Sequence, residues 1–234
     1  MRLCFRRGLI HGLPIALGYF SVSFGFGIMA VRTGLSVIEA LTISMTNLTS
    51  AGQAAGVSII AACGTYLEMA VTQLVINIRY SLMGLSLSQK LDSSFNTAHR
   101  LAVSFGITDE IFAMASAQPG RLTPRYMYGL ILISFIGWSG GTLFGAVAGN
   151  ILPVEVTNAM GIVLYGMFLA IIIPAAKKEK SILAVILIAA LCSSVLYYAV
   201  PALSSGFAVI ISAVIAAAFA AVVFPVPAEE ENKA

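Results

Sequence analysis

One arginine sits where arginines are rare. Arg79 lies inside the apolar run Tyr66–Ser88, roughly 20 Å from its start and about 16 Å from Lys90 if the run is helical. That is close to the middle of a hydrocarbon layer about 30 Å thick, too deep for the side chain to reach either surface. Its guanidinium must face a protein interior or a wet cavity, and it needs an anion. The planar fork suits a carboxylate. Arg79 could therefore anchor a substrate carboxylate or form a gating ion pair, with a structural salt bridge as the plainer reading. Asp109 and Glu110, at the centre of another apolar segment, are its best partners. Adjacent helical residues point about 100° apart, so one acid can pair with Arg79 while the other takes up and releases a proton. The plainer reading is that both acids stabilise the N-terminus of a half-helix that Thr108 caps.

A third stretch is polar at membrane depth: Asn47–Gly56, with Thr49, Ser50, Gly52 and Gln53 at its centre. Irregular backbone is tolerated there only when protein buries it or it lines a cavity. Unwound segments of this kind bind small zwitterions, whereas close packing through Ala51, Gly52 and Gly56 needs no ligand. Asn77 and Gln73 are equally suited to contact a substrate or to bond across helices. The expectation is that Thr49–Gln53, Arg79 and Asp109–Glu110 meet in space.

The elements that carry these residues are membrane helices. The chain has 234 residues, 59% hydrophobic and 10% charged, with a mean hydropathy of +0.96. A soluble domain carries roughly 25% charged residues. Apolar runs near 20 residues read as an all-α, polytopic membrane protein in a single domain. About eight segments are expected, or seven if one is re-entrant: 9–31, 37–62, 66–88, 101–118, 126–149, 156–176, 182–200 and 207–224. The second and fourth carry polar interruptions, and the third has polar residues on two faces or a break near Asn77. The first span is expected to be retained rather than cleaved as a leader. The acidic tail, 225–234, is expected to be disordered.

With the N-terminus in the cytoplasm and every segment crossing, cations are biased to the cytoplasmic side by roughly three to one. Lys90, Arg100 and Arg32 then lie outside, and both termini inside. If 101–118 failed to cross, the lysine-rich loop near 177–180 would move outside and the bias would collapse, so a crossing fourth segment is expected. FGFGIMAVRTGLSVIEAL, ending at Leu41, echoes LFGAVAGNILPVEVTNAM, ending at Met160, which would fit a transporter built from two related halves.

Other chemistries find little footing. The net charge of +3 and the absence of a basic surface segment argue against nucleic acid. Cys4, Cys63 and Cys192 are scattered, so neither a disulfide nor a metal site is expected. There is no HExxH or GxxxxGK[ST] pattern, so no catalysis, cofactor or ATP hydrolysis is expected. Trp138, Tyr197 and Tyr198 read as packing or interface anchors, Glu68 as interfacial, and His11 and His99 carry no assigned role.

The chain resembles the AzlC family, the large subunit of bacterial branched-chain amino-acid exporters. The matching stretches are GLPIALGYFSVSFGFG (Gly12–Gly27), LSVIEALTISM (Leu35–Met45), SAGQAA (Ser50–Ala55), LVINIRYSLMGLSLS (Leu74–Ser88) and GITDEIFAM (Gly106–Met114). The segment TSAGQAAGV is less aromatic than the family's usual FAGASQF-like form, and Tyr80 follows the arginine where histidine is common. What the resemblance implies is export of branched-chain or other small hydrophobic amino acids across the bacterial inner membrane, with a small AzlD-like membrane subunit as partner. Combined with the acids, it leads to an expectation of proton coupling. Thr49, Ser50, Gly52, Gln53, Asn77 and Arg79 would bind substrate, and Asp109 or Glu110 would couple or gate. A passive pore, or a scaffold subunit that does not itself transport, is the alternative.

Overall fold

A computed structural model of the chain describes residues 3–153, 179–200 and 205–224, with isolated positions 155, 169, 173, 176, 177 and 203 between them. The described residues form ten helices: α1 (Phe5–Arg32), α2 (Val37–Thr46), α3 (Ala51–Ala61), α4 (Tyr66–Asn77), α5 (Arg79–Ser88), α6 (Thr97–Phe105), α7 (Asp109–Ser116), α8 (Pro124–Ile151), α9 (Lys180–Ala199) and α10 (Ser205–Val223). By length and composition, α1, α8 and α9 can each cross a membrane unaided. The expected sixth span (156–176) and the acidic tail (225–234) lie outside the described residues.

Helices α1 and α8, of 28 residues each, form the most extensive helix pair. Small residues let their backbones touch, as helices in lipid must when no hydrophobic force drives them together. A methyl group on Gly8 would strike the Tyr126 carbonyl, on Gly137 the Ala16 carbonyl, and on Gly145 the Phe24 carbonyl. The contacts climb in register from Gly8 against Tyr126 to Gly149 against Ile28, so the two helices run parallel. The step from Phe5 to Pro124 is also the step from Arg32 to Ile151, and from Phe24–Leu41 to Leu143–Met160. Parallel helices of equal length, in register, are what a parallel repeat places beside its axis.

Call the end of the spine that holds Leu3 and Tyr126 the near end, and the end that holds Ala30 and Ala146 the far end. At the far end, Ala40 of α2 and Val57 of α3 pack in one cluster with Phe26, Ala30 and Ala146. Between them, Leu48 packs at mid-height on Tyr19 and Trp138. The chain therefore enters from the far end, reaches the middle and returns. The reversal is made by Asn47, extended at φ −144° and ψ 100°, and Ser50, at φ 38°. A positive φ on a non-glycine residue is costly and is found where surrounding structure enforces it.

At the near end, Phe95, Val103, Ala115 and Leu122 pack with Leu3, Leu87 and Tyr126. The Asp92 N–H donates to the Leu122 carbonyl (3.0 Å) and the Leu122 N–H to the Lys90 carbonyl (2.8 Å), closing this second hairpin at its base. Between α6 and α7, Gly106 lies against Ile131, about a quarter of the way up α8 from the near end. Helices α4 and α5 connect the two hairpins by running from the far end to the near end. Gly56 lies beside Met69, Arg79 meets Asp109 at mid-height, and Leu87 joins the near cluster.

The fold class is as the sequence implies: all-helical and polytopic, with segments interrupted at mid-depth. The course of two segments differs. Segments 37–62 and 101–118 are helical hairpins inserted from opposite ends, not crossings. The two reversals cancel, so α8 still starts at the near end. Lys90 and Arg100, expected opposite the N-terminus, share its side with Arg6, Arg7, Arg121 and Arg125. Among the described residues up to Pro153, Arg32 is the one cation at the far end. Thus α1 with the first hairpin, and α4–α5 with the second, are two units of opposite direction, an inverted arrangement found in transporters.

Helix α10 packs on α9, α4 and α3, while α9 buries none of its residues.

Candidate functional site

Arg79 begins α5, immediately after the break at Ile78. Its Nη1 lies 2.9 Å from Asp109 Oδ2, with both side chains a little under half exposed. The guanidinium carbon stands 5.2 Å from the Tyr80 ring centroid, and Nη2 donates to the Tyr80 hydroxyl at 3.5 Å. A cation over a ring face gains a further electrostatic contact. Of the two expected partners, Asp109 takes the arginine and Glu110 does not.

Glu110 has a separate environment. The Tyr19 hydroxyl donates to Glu110 Oε2 at 2.6 Å and is also hydrogen-bonded to Thr108 Oγ1. Thr108 caps α7 as expected, accepting from the Ile111 N–H at 3.4 Å. The two acids occupy the first turn of α7, where the helix dipole favours negative charge. Three groups near one another thus carry one positive and two negative formal charges, with Glu110 hydrogen-bonded to Tyr19 and not to a cation.

These residues border a cavity of about 660 Å³, within the range of small-molecule sites. It lies between the near and far cores. Tyr19 and Trp138, near the midpoints of α1 and α8, form one wall, and Thr49–Ala51, Ile76, Arg79, Tyr80 and Thr108–Glu110 close the rest. Pro14, which removes a backbone hydrogen bond inside α1, also lines it, with Ile15, Val22 and Leu48 supplying apolar surface. One side is therefore charged and another aliphatic, a combination suited to a small molecule with both characters.

The three stretches singled out in the sequence do meet, and five of the eight candidate residues line the cavity: Thr49, Ser50, Arg79, Asp109 and Glu110. Gly52, Gln53 and Asn77 stand behind its wall. Gln53 is 1% exposed and donates to Ser44 Oγ at 3.1 Å, which in turn is 2.5 Å from Thr142 Oγ1. Gln73 Nε2 donates to the Gly52 carbonyl (2.7 Å) and Asn77 Nδ2 to Gln73 Oε1 (3.0 Å). Gly52 permits this approach, because a β-carbon there would come within 2.7 Å of Gln73 Oε1. These amides join α3 to α2 and α4. The physical reason is their position: Gly52 and Gln53 fall within the first turn of α3, past the reversal, and turn toward neighbouring helices.

Trp138 and Tyr19 are the cavity residues that residue-type reasoning passed over. Both lie in long, unbroken apolar helices, where aromatic residues read as packing. Glu68, expected at an interface, is buried at 4% exposure. His11 and His99 bond the hydroxyls of Tyr126 (3.0 Å) and Tyr128 (2.8 Å) near the base of α8.

A protein-family model described as AzlC protein matches residues 14–152, a stretch that holds both hairpins and the whole cavity lining. An uncharacterized membrane protein of Archaeoglobus fulgidus is 33% identical over 177 residues, covering 74% of this chain and 76% of the relative. The inner membrane protein YgaZ of Escherichia coli is 28% identical over 205 residues, 84% of this chain and 83% of the relative. The branched-chain amino acid transport protein AzlC of Bacillus subtilis is 22% identical over 179 residues, 75% and 69% respectively. No solved structure matches.

Proposed function

The chain belongs to the AzlC family, and on that premise we propose that it is a secondary transporter exporting branched-chain or other small hydrophobic amino acids, coupled to protons. The observation that carries this reading is the Arg79–Asp109 ion pair on the wall of a cavity at mid-height, with aliphatic residues opposite. Ile15, Val22 and Leu48 would receive the substrate side chain. Thr49, Ser50 and the start of α3 would receive its carboxylate, since half-helix N-termini attract anionic substrate groups. Gly52, Gln53 and Asn77 would act from behind, by holding that N-terminus in place. The relative whose name states a substrate, the Bacillus subtilis protein, is called a branched-chain amino acid transport protein, which supports the substrate class.

Coupling follows from the two acids. Protonation of Asp109 would release Arg79, and the freed guanidinium would turn to the substrate carboxylate. Glu110, held by Tyr19 and away from the cation, would be the group that exchanges protons. The membrane is proposed to be the bacterial inner membrane. An N-terminus in the cytoplasm is proposed with it, a reading that the positive-inside rule supports: Arg6, Arg7, Lys90, Arg100, Arg121 and Arg125 lie at one end, against Arg32 at the other. The C-terminus joins it there if 156–176 crosses once. A small AzlD-like subunit is proposed as partner on family resemblance.

Counterflow of labelled leucine, isoleucine, valine and methionine in proteoliposomes tests the activity. Saturable exchange is expected, and its absence both with and without the partner would sink the transporter reading. Glu110→Gln and Asp109→Asn are each expected to flatten the pH dependence of exchange. If both variants keep the wild-type pH profile, the acids do not couple.

A further inference from the structure

A second cavity, of about 230 Å³, lies at the near end and shares no lining residue with the first. Gly84 and Leu87 of α5 form one wall, Val103 of α6 and Ile107 the other, and Met127 of α8 completes it. A β-carbon on Gly84 would meet no atom within 4 Å, so the wall on that side is low. Arg100, in the first turn of α6, is the one charged residue of this lining.

Two neighbouring cations at this end are engaged. The Lys90 ammonium donates to the Ser116 carbonyl, and the Arg121 guanidinium to the Leu91 carbonyl at 3.1 Å. The Arg100 guanidinium has no partner among the described residues, and the residue is exposed. Leu101 and Phe105 on the same helix are exposed too, as side chains that face lipid are. An unpaired cation thus stands at the mouth of an apolar slot on the outside of a membrane protein.

The chemistry that fits is anionic at one end and hydrocarbon at the other. A guanidinium receives a phosphate through parallel hydrogen bonds, and the slot beside it receives carbon. Basic pockets between membrane helices hold anionic lipid head groups in this way. Arg6, Arg7, Arg121 and Arg125 share this end and add to its attraction for an anionic leaflet.

We propose that this groove binds one anionic phospholipid from the leaflet at the near end, with its phosphate on Arg100 and the first carbons of one acyl chain between α5 and α6. Both walls lead to the ion pair: α5 begins at Arg79, and Ile107 lies two residues before Asp109. A lipid seated here lies between the two elements that the pair joins. The inference is independent of the transport reading and needs only that the chain is a membrane protein.

Native mass spectrometry of the full-length protein in detergent, titrated with lipid, tests it. One dioleoylphosphatidylglycerol is expected to bind saturably. Dioleoylphosphatidylcholine, with the same chains and no net charge, is expected to bind at least tenfold more weakly, and glycerol phosphate, the head group without chains, not to bind. Arg100→Gln is expected to weaken phosphatidylglycerol binding about tenfold, the effect of one hydrogen bond to a charged group. Gly84→Leu, which adds a side chain to the groove wall, is expected to weaken it too, whereas Arg125→Gln, a cation outside the groove, is expected to leave it unchanged. Should either groove variant aggregate, the other decides. Equal affinity for the two lipids, or for wild type and Arg100→Gln, overturns the proposal, as does glycerol phosphate binding as tightly as the lipid. No saturable binding at all also overturns it, and leaves the groove to a partner helix or to another segment of this chain.

Discussion

The two hairpins are built alike and end differently. Each enters from one end of the spine, reverses at mid-height and sends back a short helix whose N-terminus borders the cavity. In the second, that N-terminus is satisfied: Thr108 caps it, and Asp109 and Glu110 fill its first turn. In the first, Ser50 offers no side-chain cap, and Ala51, Gly52 and Gln53 bring no charge. One helix end carries its own anions and the other lacks any. A ligand carboxylate is therefore expected at α3, while protons and the arginine are handled at α7. Similar backbone architecture is thus compatible with two roles, separated by what occupies the first turn.

The largest effect would come from breaking the hairpins themselves. In chains with a single cysteine, Cys4 and a cysteine at Ser94 are expected to react with a membrane-impermeant maleimide from one side, and Cys63 from the other. If both segments crossed, Cys63 would share a side with Cys4, and the cysteine at Ser94 would be opposite. The outcome is all-or-none.

A smaller but still large effect would come from making the two helix ends alike. Ala51→Asp places a carboxylate in the first turn of α3, at the cavity wall. Leucine binding is expected to fall tenfold or more, because like charges brought together cost several kcal/mol. Unchanged affinity in equilibrium dialysis would erase the distinction drawn between the hairpins.

The smallest effect separates the caps. Thr108→Ala removes the hydroxyl that accepts from the Ile111 N–H, a loss of about 1 kcal/mol. Thermal unfolding in detergent should then shift down by about 2–4 °C. Ser50→Ala, which removes no cap and keeps an L-residue at the same φ, should not shift it measurably. Equal shifts would mean that the asymmetry of the two N-termini has no energetic content.

Much of the site is legible in the sequence, and the reason is cost. Charges at membrane depth are few, so Arg79 had few possible partners and Asp109 was one of two. Thr108 preceding two acids is a capping pattern in any context. The direction of the chain was not legible in the same way. A 26-residue apolar run with a polar centre has the same hydropathy whether the chain continues or turns back. The charge distribution did hold the missing signal. Folding back 101–118 alone spoils the cation bias, but folding back 37–62 as well strengthens it, because Lys90 and Arg100 then join the N-terminal side. Trp138 was hidden for another reason: its place on the cavity wall depends on where neighbouring helices stop short of it, which is not a property of its own segment.

The glycine seam between α1 and α8 sets a mechanical limit. Packed helices usually shear by letting interdigitated side chains repack across small displacements. Where carbonyls rest on glycine α-carbons, as at Gly137 and Gly145, there is no side-chain layer to repack. The pair should behave as a fixed post. Motion that opens the cavity to one end and then the other must then be taken up at the joints: Asn47–Ser50, Ile78 and Gly106–Thr108. All three joints border or adjoin the cavity, so the ligand sits where the hinges are, and its binding can bias them directly.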